Sequence, residues 1–376
     1  MYWLPVVILG LVVIFLKVIY KKEWKIPLII ILVSAILTSS TVAIDYHLQT
    51  DDQEVWSGRI TDVSHKDAWD EWIPPSTSCT TDSKGNQSCT TTAGYYEHHP
   101  AENEVQTSDN GWTEVYRTPN GLVINDDFPR SRDELLKYFP IGTPTASVHT
   151  YENKVQASYS IFKHKGIDPS QYPDLPDYPK QVTSYFNVDR IIGYVPNKQI
   201  ALQHLADINS DLNKSIPDPE NQGKMRSWKE VNLIFVNVGA NKPEDYGYAL
   251  QDKWKGGNKN DFIISFSMDN QGNIAWVYPF SWSESELLKL HVRDYMMNLK
   301  KMINFVSVED EVSKMVANEF VRKQFVDFNY LQIDITTTAW VIIWVLNILL
   351  ILFYVWMEVI GDGKYKSRNV RYRRRY

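Results

Sequence analysis

Three long apolar segments stand out from an otherwise polar chain. They cover residues 2–20, 26–44 and 338–358. At 1.5 Å per residue each of the first two is about 28 Å long as a helix, close to the roughly 30 Å hydrocarbon core of a bilayer. A helix satisfies its own backbone hydrogen bonds, which lipid cannot do. The sequence therefore predicts an integral membrane protein with three transmembrane helices, the first two forming a hairpin within residues 1–44.

The distribution of basic residues predicts the orientation of these helices. The loop KKEWK separates the first two segments, and residues 359–376 form a tail with seven basic residues. With three spans both lie on the same side, and basic segments stay in the cytoplasm. We expect a multi-pass protein of the cytoplasmic membrane, with residues 45–337 on the periplasmic or extracellular side and the tail against anionic lipid.

A cleaved signal peptide is the alternative for the first segment. Such a peptide begins with a basic region, and the first five residues, MYWLP, carry no basic side chain. Its apolar stretch is also long for a signal peptide. We therefore expect the segment to remain as a membrane span.

Charge excludes one class of partner for the outer part. Of the 39 basic and 45 acidic residues, 28 and 42 lie in residues 45–337, so this part carries a net charge of −14 although the chain as a whole carries −6. A strongly acidic module repels the phosphate backbone, which argues against nucleic acid.

The first half of the outer part, residues 45–165, predicts a β-rich domain. Its segments are rich in β-branched and aromatic residues and are separated by turn residues. One short helix is expected at RDELLKYF, where Ser131 and Glu134 have the spacing of a capping box. Four prolines in residues 166–180 then predict a linker or an extended strap. The expected strands are 54–63, 67–73, 93–100, 111–118, 121–126 and 145–162.

Residues 181–306 change to an α/β pattern. The apolar run 231–238 has strand length and no alternation, so we expect it at the centre of a sheet. Ser283 and Glu286 have the spacing of a cap for the last helix of this module. A juxtamembrane helix is expected within 307–337. The outer part is thus α+β in fold class, and the expected strands of the second module are 188–195, 231–238, 261–268 and 273–280, the last two joined as a hairpin through DNQG.

A motif precedes the predicted hairpin and consists of Trp254, Gly256, Gly257, Asn260 and Asp261. With this motif, the order of the elements resembles the TPM-domain family over roughly residues 185–305. The resemblance implies a membrane-anchored α/β sandwich that faces outward. The family often has a glycine-rich stretch after the hairpin, where this chain has YPFSW at 278–282. Over its whole length the chain also resembles bacterial or phage-encoded membrane proteins.

The segment KGGNKND, residues 255–261, is the main candidate for a ligand or ion site. Its two glycines let the backbone approach a ligand, and its two lysines can attract an anion. Its asparagine and aspartate oxygens alternatively suit Ca²⁺. The same sequence also fits a helix C-cap followed by a tight loop. The candidate residues are Lys255, Gly256, Gly257, Asn258, Asn260 and Asp261.

His98 and His99 are candidate metal ligands. Neighbouring residues of a strand face opposite sides, so both can bind one metal only where the strand bends. Asp67, Asp70 and Glu71 are the carboxylates considered for the same site. A solvated strand edge is the alternative.

Cys79 and Cys89 are the only cysteines, and both fall on the predicted outer side. An oxidising compartment favours a disulfide between them. A metal site with the nearby histidines is the alternative.

Tyr278, Phe280 and Trp282 are candidates for a protein interface. An exposed aromatic cluster marks such a surface, whereas a buried one belongs to the core. The same segment leads into the last predicted helix of the module, which favours the core as the alternative.

Asn347 is a candidate for contact between helices, because it lies near the middle of the third span. An amide at that depth finds its partner on another helix. We expect it to bond Ser34, Thr38 or Thr41 of the second span. Asn347 of another copy, which would make a homo-oligomer, and a bond to its own backbone are the alternatives.

The sequence carries no common motif of nucleophilic catalysis, neither GxSxG nor HExxH nor a paired-cysteine redox motif. We expect a membrane-anchored envelope protein whose outward-facing module binds other proteins or assists complex assembly, without catalysis or cofactor. The alternative is a membrane-tethered hydrolase of phosphatase type, which the TPM resemblance implies. The candidate acidic residues for such a hydrolase lie at strand ends and are Asp189, Asp261 and Asp269.

Overall fold

The computed structural model describes residues 3–20, 24–81, 83–85, 87–179, 189–219, 221–299 and 301–372. These residues belong to two compact units. The first, called the helical unit, comprises Met1–Asp52, Glu152–Phe162 and Phe325–Tyr376. The second, called the sheet unit, comprises Gln53–Tyr151 and Lys163–Gln324. Two parts of the predicted basic segments, residues 21–23 and 373–376, lie outside the described residues.

The chain contains both helices and strands. The helices are α1 (Leu4–Tyr20), α2 (Lys25–Thr50), α3 (Arg132–Tyr138), α4 (Lys154–Ala157), α5 (Lys198–Leu212), α6 (Asp245–Lys253), α7 (Glu286–Leu299), α8 (Phe305–Glu319) and α9 (Thr337–Tyr372). The strands are β1 (Asp51–Lys66), β2 (Trp69–Ile73), β3 (Ser76–Thr81), β4 (Gln87–Thr92), β5 (Tyr95–His99), β6 (Glu102–Thr107), β7 (Gly111–Glu114), β8 (Pro144–Glu152), β9 (Ile191–Ile192), β10 (Ser215–Pro217), β11 (Met225–Ser227), β12 (Asn232–Asn237), β13 (Asp261–Met268) and β14 (Ile274–Ser281).

The helical unit packs α1, α2 and α9 against one another. Their shared core contains Leu9, Val13, Ile30 and Tyr354. Among the described residues, two helical stretches are long and apolar enough to cross a membrane, α2 and the first 21 residues of α9, while α1 is a shorter apolar helix. Both long helices exceed their predicted ends, because α2 runs on to Thr50 and α9 continues through the basic residues to Tyr372.

The first sheet of the sheet unit has the strand order β7-β6-β1-β8. Its core lies against α3 and includes Ile60, Val105, Leu135 and Phe139. The predicted cap of α3 is confirmed, since the Ser131 side chain accepts a hydrogen bond from the backbone N–H of Glu134.

Two predicted strands of this region are wrong in part. The strand expected at 145–162 ends at Glu152, and a short helix and a 3-10 turn follow. The segment 121–126 forms only isolated bridges, such as Arg117 with Val123. Three of the six residues of this segment, GLVIND, are glycine, asparagine or aspartate, which favour turns over a continuous ladder.

An antiparallel ribbon leaves this sheet between β1 and β6. In it β2 pairs with β5 and β3 pairs with β4, so the chain runs out and back. We call the ribbon Trp69–His99 the arm. Nearly all of its described side chains are exposed, in contrast to strands such as β1, β12 and β13, which have many buried residues.

The second sheet has the strand order β14-β13-β12-β9. β12 is parallel to both β13 and β9, and β13 forms the predicted hairpin with β14. All six residues of β12 are buried, which confirms its central position. Alternate side chains of β12 serve two cores, because Leu233 and Phe235 face α5, α7 and α8 whereas Ile234 and Val236 face α6. The start of the predicted strand 188–195 lies outside the described residues.

The proline-rich segment packs on α6 as a strap. Leu175 is buried in the core on that side of the sheet, and the Lys253 ammonium donates to its carbonyl across 2.7 Å. The Trp254 indole donates to the carbonyl of Pro176 across 3.0 Å. The described part of this segment is therefore fixed to the sheet unit, and Lys180 lies outside it.

The predicted bounds of the helices α7 and α8 are wrong in part. α7 begins at Glu286, and the Ser285 hydroxyl accepts from Leu288 N across 3.4 Å, while the predicted cap Ser283 instead donates to the Val321 carbonyl. The juxtamembrane helix expected within 307–337 is α8, which ends at Glu319. A serine two positions nearer to the helix supplied a cap that the capping-box spacing did not indicate.

Candidate functional site

The KGGNKND segment begins as the C-cap of α6. Lys255, Gly256 and Gly257 all adopt positive φ, at 51°, 82° and 78°. The backbone N–H of Gly256 donates to the Gln251 carbonyl across 2.8 Å, which satisfies one of the free carbonyls at the helix end. The alternative of a cap and tight loop thus describes these three residues.

Side chains of the same chain occupy the space beside the two glycines. A Cβ on Gly256 would lie 2.7 Å from the Trp282 ring, and one on Gly257 would lie 2.6 Å from Ile263 Cδ1. Trp282 also donates from its indole to the Gly257 carbonyl across 3.2 Å. The close approach that glycine permits is therefore used for packing against Trp282 and Ile263.

Asp261, the first residue of β13, is fully buried and accepts hydrogen bonds on both carboxylate oxygens. Oδ1 accepts from Asn232 Nδ2 across 2.8 Å. Oδ2 accepts from the Tyr178 hydroxyl across 2.8 Å and from Asn258 N across 2.7 Å. Burial, followed by the charge of Asp261, raises the pKa of Tyr178 well above its ordinary value, so Tyr178 remains a donor.

Arg190 supplies the buried positive charge of this network. It is 3% exposed, donates from Nε to Asn232 Oδ1 across 2.6 Å, and donates from a terminal nitrogen to Ser57 Oγ across 2.7 Å. Burial lowers its pKa to about 10, which still leaves the guanidinium charged at neutral pH. Asn232 therefore bridges the two opposite charges of Arg190 and Asp261.

The remaining candidates of the segment also contact the chain itself. Asn258 Nδ2 donates to the Tyr178 hydroxyl across 3.0 Å, and Asn260 Nδ2 donates to the Val55 carbonyl across 2.7 Å. All of them lie at the start of parallel strands, whereas ligands of open α/β sheets bind beyond the carboxyl ends. The geometry supports an anchoring role for this segment more than a ligand or Ca²⁺ site.

The acids that the hydrolase alternative would use have local roles. Asp189 accepts from Ile191 N across 3.1 Å, and Asp269 accepts from Gln271 N across 2.8 Å in the hairpin turn. Such bonds to a backbone N–H two residues further on are typical of turns. None of these contacts favours phosphoryl transfer.

The two candidate metal ligands lie on opposite faces of the arm. His98 Nδ1 is 2.8 Å from Asp70 Oδ1, and its Nε2 is 2.9 Å from Asp126 Oδ2. His99 has a single carboxylate partner of this kind, because its Nε2 lies 3.1 Å from Glu71 Oε2. The bond to Asp126, followed by that to Asp70, raises the pKa of His98. Among the described residues no three such side chains converge as metal ligands.

The disulfide between Cys79 and Cys89 is present, as predicted. The two residues face each other across β3 and β4, with their Cα atoms 4.0 Å apart. The bond ties the two strands of the arm together near its tip. Residues 82 and 86 of the turn lie outside the described part.

The aromatic cluster does not form an exposed patch. Phe280 is 2% exposed and belongs to the core beneath α6. Tyr278 is half-buried, and its hydroxyl donates to Gln251 Oε1 across 2.6 Å. The third member, Trp282, packs on Gly256 as described above. Phe280 thus belongs to the core, while Tyr278 and Trp282 are half-buried, and their role as an interface stays a prediction.

Asn347 bonds residues of α2, as predicted, and is 1% exposed. Its Oδ1 accepts from the Ser34 hydroxyl, and its Nδ2 lies 3.3 Å from Thr38 Oγ1. The amide also donates to the carbonyl of Ile343 across 2.8 Å, so the backbone bond occurs as well. The Thr41 hydroxyl bonds its own helix at Leu37.

The arm itself is the feature that sequence reasoning missed. Its exposed aromatic side chains are Trp72, Tyr95 and Tyr96, with exposed fractions of 50%, 51% and 71%. Trp72 and Tyr96 face each other across the strands, with ring centroids 4.9 Å apart. Two features of the sequence could have indicated the arm. They are the length of the segment between β1 and β6 and its high content of serine and threonine.

No family model, curated protein or solved structure matches the chain. The resemblance to the TPM-domain family stays a prediction. The function is accordingly inferred from the residues of this chain.

Proposed function

We propose that the chain is a membrane-anchored envelope protein whose outward-facing module binds another protein through the arm. The observation that carries this proposal is the exposure of Trp72, Tyr95 and Tyr96 on a ribbon with almost no buried side chains. Aromatic residues contribute most to protein interfaces, and large apolar side chains grouped on a surface mark such sites. A two-stranded ribbon gains little stability of its own, which favours binding as its role.

The arm is held in shape before any partner binds. The Cys79–Cys89 disulfide closes a short loop, which stabilises it by about 2.8 kcal/mol in the chain-entropy model. The hydroxyls of Thr77 and Thr91 are 3.1 Å apart across the same strands. An ordered binding surface loses less conformational entropy on association.

The helical unit serves as the anchor in this proposal. Two stretches of sufficient length and apolarity support membrane insertion. We infer that α1 is a third span, because its 17 residues extend about 26 Å and pack with α2 and α9. The basic loop and tail then lie in the cytoplasm against anionic lipid, and residues 45–337 lie outside. Reporter fusions after Lys25 and at Tyr376 test this topology, and an outside signal from either contradicts it.

Site-specific photo-crosslinking tests the binding role. A photoreactive residue at Tyr96, introduced into the full chain in its native membrane, is expected to give one discrete crosslinked product with another protein. The control position is Ile200 on α5, which is 60% exposed but lies outside the arm. The same products from both positions, or none from Tyr96, would contradict the proposal.

A further inference from the structure

One face of the arm places two carboxylates directly opposite each other. The register of β2 and β5 pairs Glu71 with Glu97. Glu71 accepts from His99, whereas the Glu97 carboxylate is exposed and has no hydrogen bond or ion pair within the described part of the chain. Like charges in this position destabilise a ribbon. The pair is thus a local cost that a bound cation would remove.

The neighbours of the carboxylate pair are mostly aromatic. Side chains alternate along a strand, so every second residue shares a face with Glu71 and Glu97. We call this set the acidic face. It consists of Trp69, Glu71, Ile73, Tyr95, Glu97 and His99.

A lysine of the same chain already occupies one end of the acidic face. The Lys66 ammonium lies 3.3 Å from the centroid of the Trp69 ring, the geometry of a cation–π contact. The other partner of Trp69 is His99, whose ring stacks on it at 4.5 Å, and His99 in turn bonds Glu71. The carboxylate that pairs with this ammonium is Glu102 of β6, at 3.4 Å, so the Lys66 cation lies between an aromatic ring of the face and a carboxylate beside it. At the other end Tyr95 and Glu97 offer the same two groups, and no cation of the described residues is paired with Glu97.

The arm as a whole is negatively charged, like the acidic face. Between residues 69 and 99 the chain has four acidic residues and one lysine. A surface with this excess attracts basic partners and repels acidic ones. The distance from Trp69 to Ile73 along the strand is about 13 Å, the length of some four residues of an extended chain. A short extended segment thus matches the size of the face.

We propose that the acidic face binds a lysine- or arginine-bearing segment of the partner protein, with one cationic group between Glu71 and Glu97 and its alkyl stem on Tyr95. This inference rests on the proposed function of the arm. It names the chemistry of the partner: a basic, extended stretch of protein. Exposed ion pairs and cation–π contacts each contribute modestly, so we expect micromolar or weaker binding by an isolated peptide and tighter binding by the complete partner.

Calorimetric titration of the full chain in detergent tests this chemistry. The probe is a peptide of alternating glycine and lysine, and the variant is Glu71→Gln/Glu97→Gln. This change removes repulsion within the arm, so folding is preserved. The matched control is Glu286→Gln/Glu311→Gln, which removes the same charge from exposed positions on α7 and α8. The arm variant is expected to bind about tenfold more weakly than the wild type, and the control to bind within about twofold.

Two results would overturn the inference. The first is equally weakened peptide binding in both double variants, which would mean that net charge alone attracts the peptide. The second is that the wild type does not bind the peptide. Photo-crosslinking at Tyr96, on the opposite face, separates this failure from that of the proposed function. If its product persists while the lysine peptide does not bind, the arm binds protein but the partner is not basic.

Discussion

Asn232 joins two neighbouring parallel strands by donating from its side chain to Asp261 across 2.8 Å. Its other amide atom accepts from the buried Arg190 across 2.6 Å. One neutral side chain thus connects two opposite charges that are both buried. Such a network is stable only while all of its members have partners.

Replacement of Asp261 by alanine is expected to destabilise the sheet unit by about 3–5 kcal/mol. The change leaves Arg190 without its nearby counter-charge and removes the acceptors of Asn232 and Tyr178. Asp261→Asn keeps the shape and one acceptor, so it is expected to cost less. Urea unfolding of the full chain in detergent, followed by tryptophan fluorescence, measures both. A loss under about 1 kcal/mol for Asp261→Ala would show that the network is not coupled in this way.

The raised pKa of Glu309 on α8 predicts that the stability of the protein depends on pH. Its side chain is buried, and burial followed by the charge of Asp310 raises its pKa from 4.5 to about 9. A protonated Glu309 can donate to His204 Nδ1, which is 2.9 Å away. Because the folded pKa is above the unfolded one, the folded chain retains the proton over this range. Stability is therefore expected to fall as the pH rises from about 4.5 to about 9.

Thermal unfolding at several pH values checks this linkage. Glu309→Gln removes the titration and is expected to lose less stability than the wild type between pH 5 and pH 9. Glu311→Gln, which changes an exposed position on the same helix, serves as the control and is expected to follow the wild type. Parallel curves for the wild type and Glu309→Gln would contradict the raised pKa.

The disulfide is expected to order the arm without stabilising the rest of the sheet unit. In Cys79→Ser/Cys89→Ser the ribbon loses about 2.8 kcal/mol of local stabilisation, and trypsin is expected to cut faster after Lys84. Global unfolding is expected to change little, because the arm buries almost no apolar side chains. Peptide mapping after brief digestion measures the first effect. An unchanged rate of cleavage at Lys84 would mean that cross-strand contacts alone order the arm.

Asn347 is expected to hold α9 against α2 within one chain. Its contacts with Ser34 and Thr38 contribute roughly 0.6–2 kcal/mol of helix association. Cysteines placed at 38 and 347 are expected to form an intramolecular disulfide in membranes, since the native cysteines are already paired. Crosslinks only between copies at 347 would instead indicate a homo-oligomer.

Local patterns in the sequence predicted those features that depend on residues near one another along the chain. The run 231–238 is apolar without alternation because the strand is covered on both faces, and this composition gave its central position. The cap at Ser131 likewise depends on residues only three positions apart. By contrast, His98 bonds Asp126, which is 28 residues away, and no local pattern indicates such a pair.

The candidate site was harder to predict than the fold. The glycines of KGGNKND were correctly singled out as unusual, but Trp282 and Asp261 fill the space that a ligand would need. The arm is a candidate binding surface because its side chains are exposed. Whether a strand is exposed depends on whether another element covers it, and the composition of the strand alone does not decide this. The hydroxyl-rich strands β3 and β4 also lack the apolar alternation from which half-buried strands are predicted.

Two triple variants of the full chain isolate the contribution of the arm. The arm variant replaces its exposed aromatic residues by serine: Trp72, Tyr95 and Tyr96. The control variant replaces three exposed apolar residues of the sheet unit outside the arm by serine: Tyr116, Leu122 and Ile141. All six are at least 45% exposed, so neither variant creates a cavity and both are expected to fold.

Quantitative co-purification from native membranes in mild detergent tests the binding role of the arm most directly. The account predicts that one protein is recovered with the wild type and the control variant in similar amounts, and that its recovery with the arm variant falls at least about tenfold, as expected for the loss of aromatic anchors. Equal recovery of the same proteins with all three chains would contradict the account.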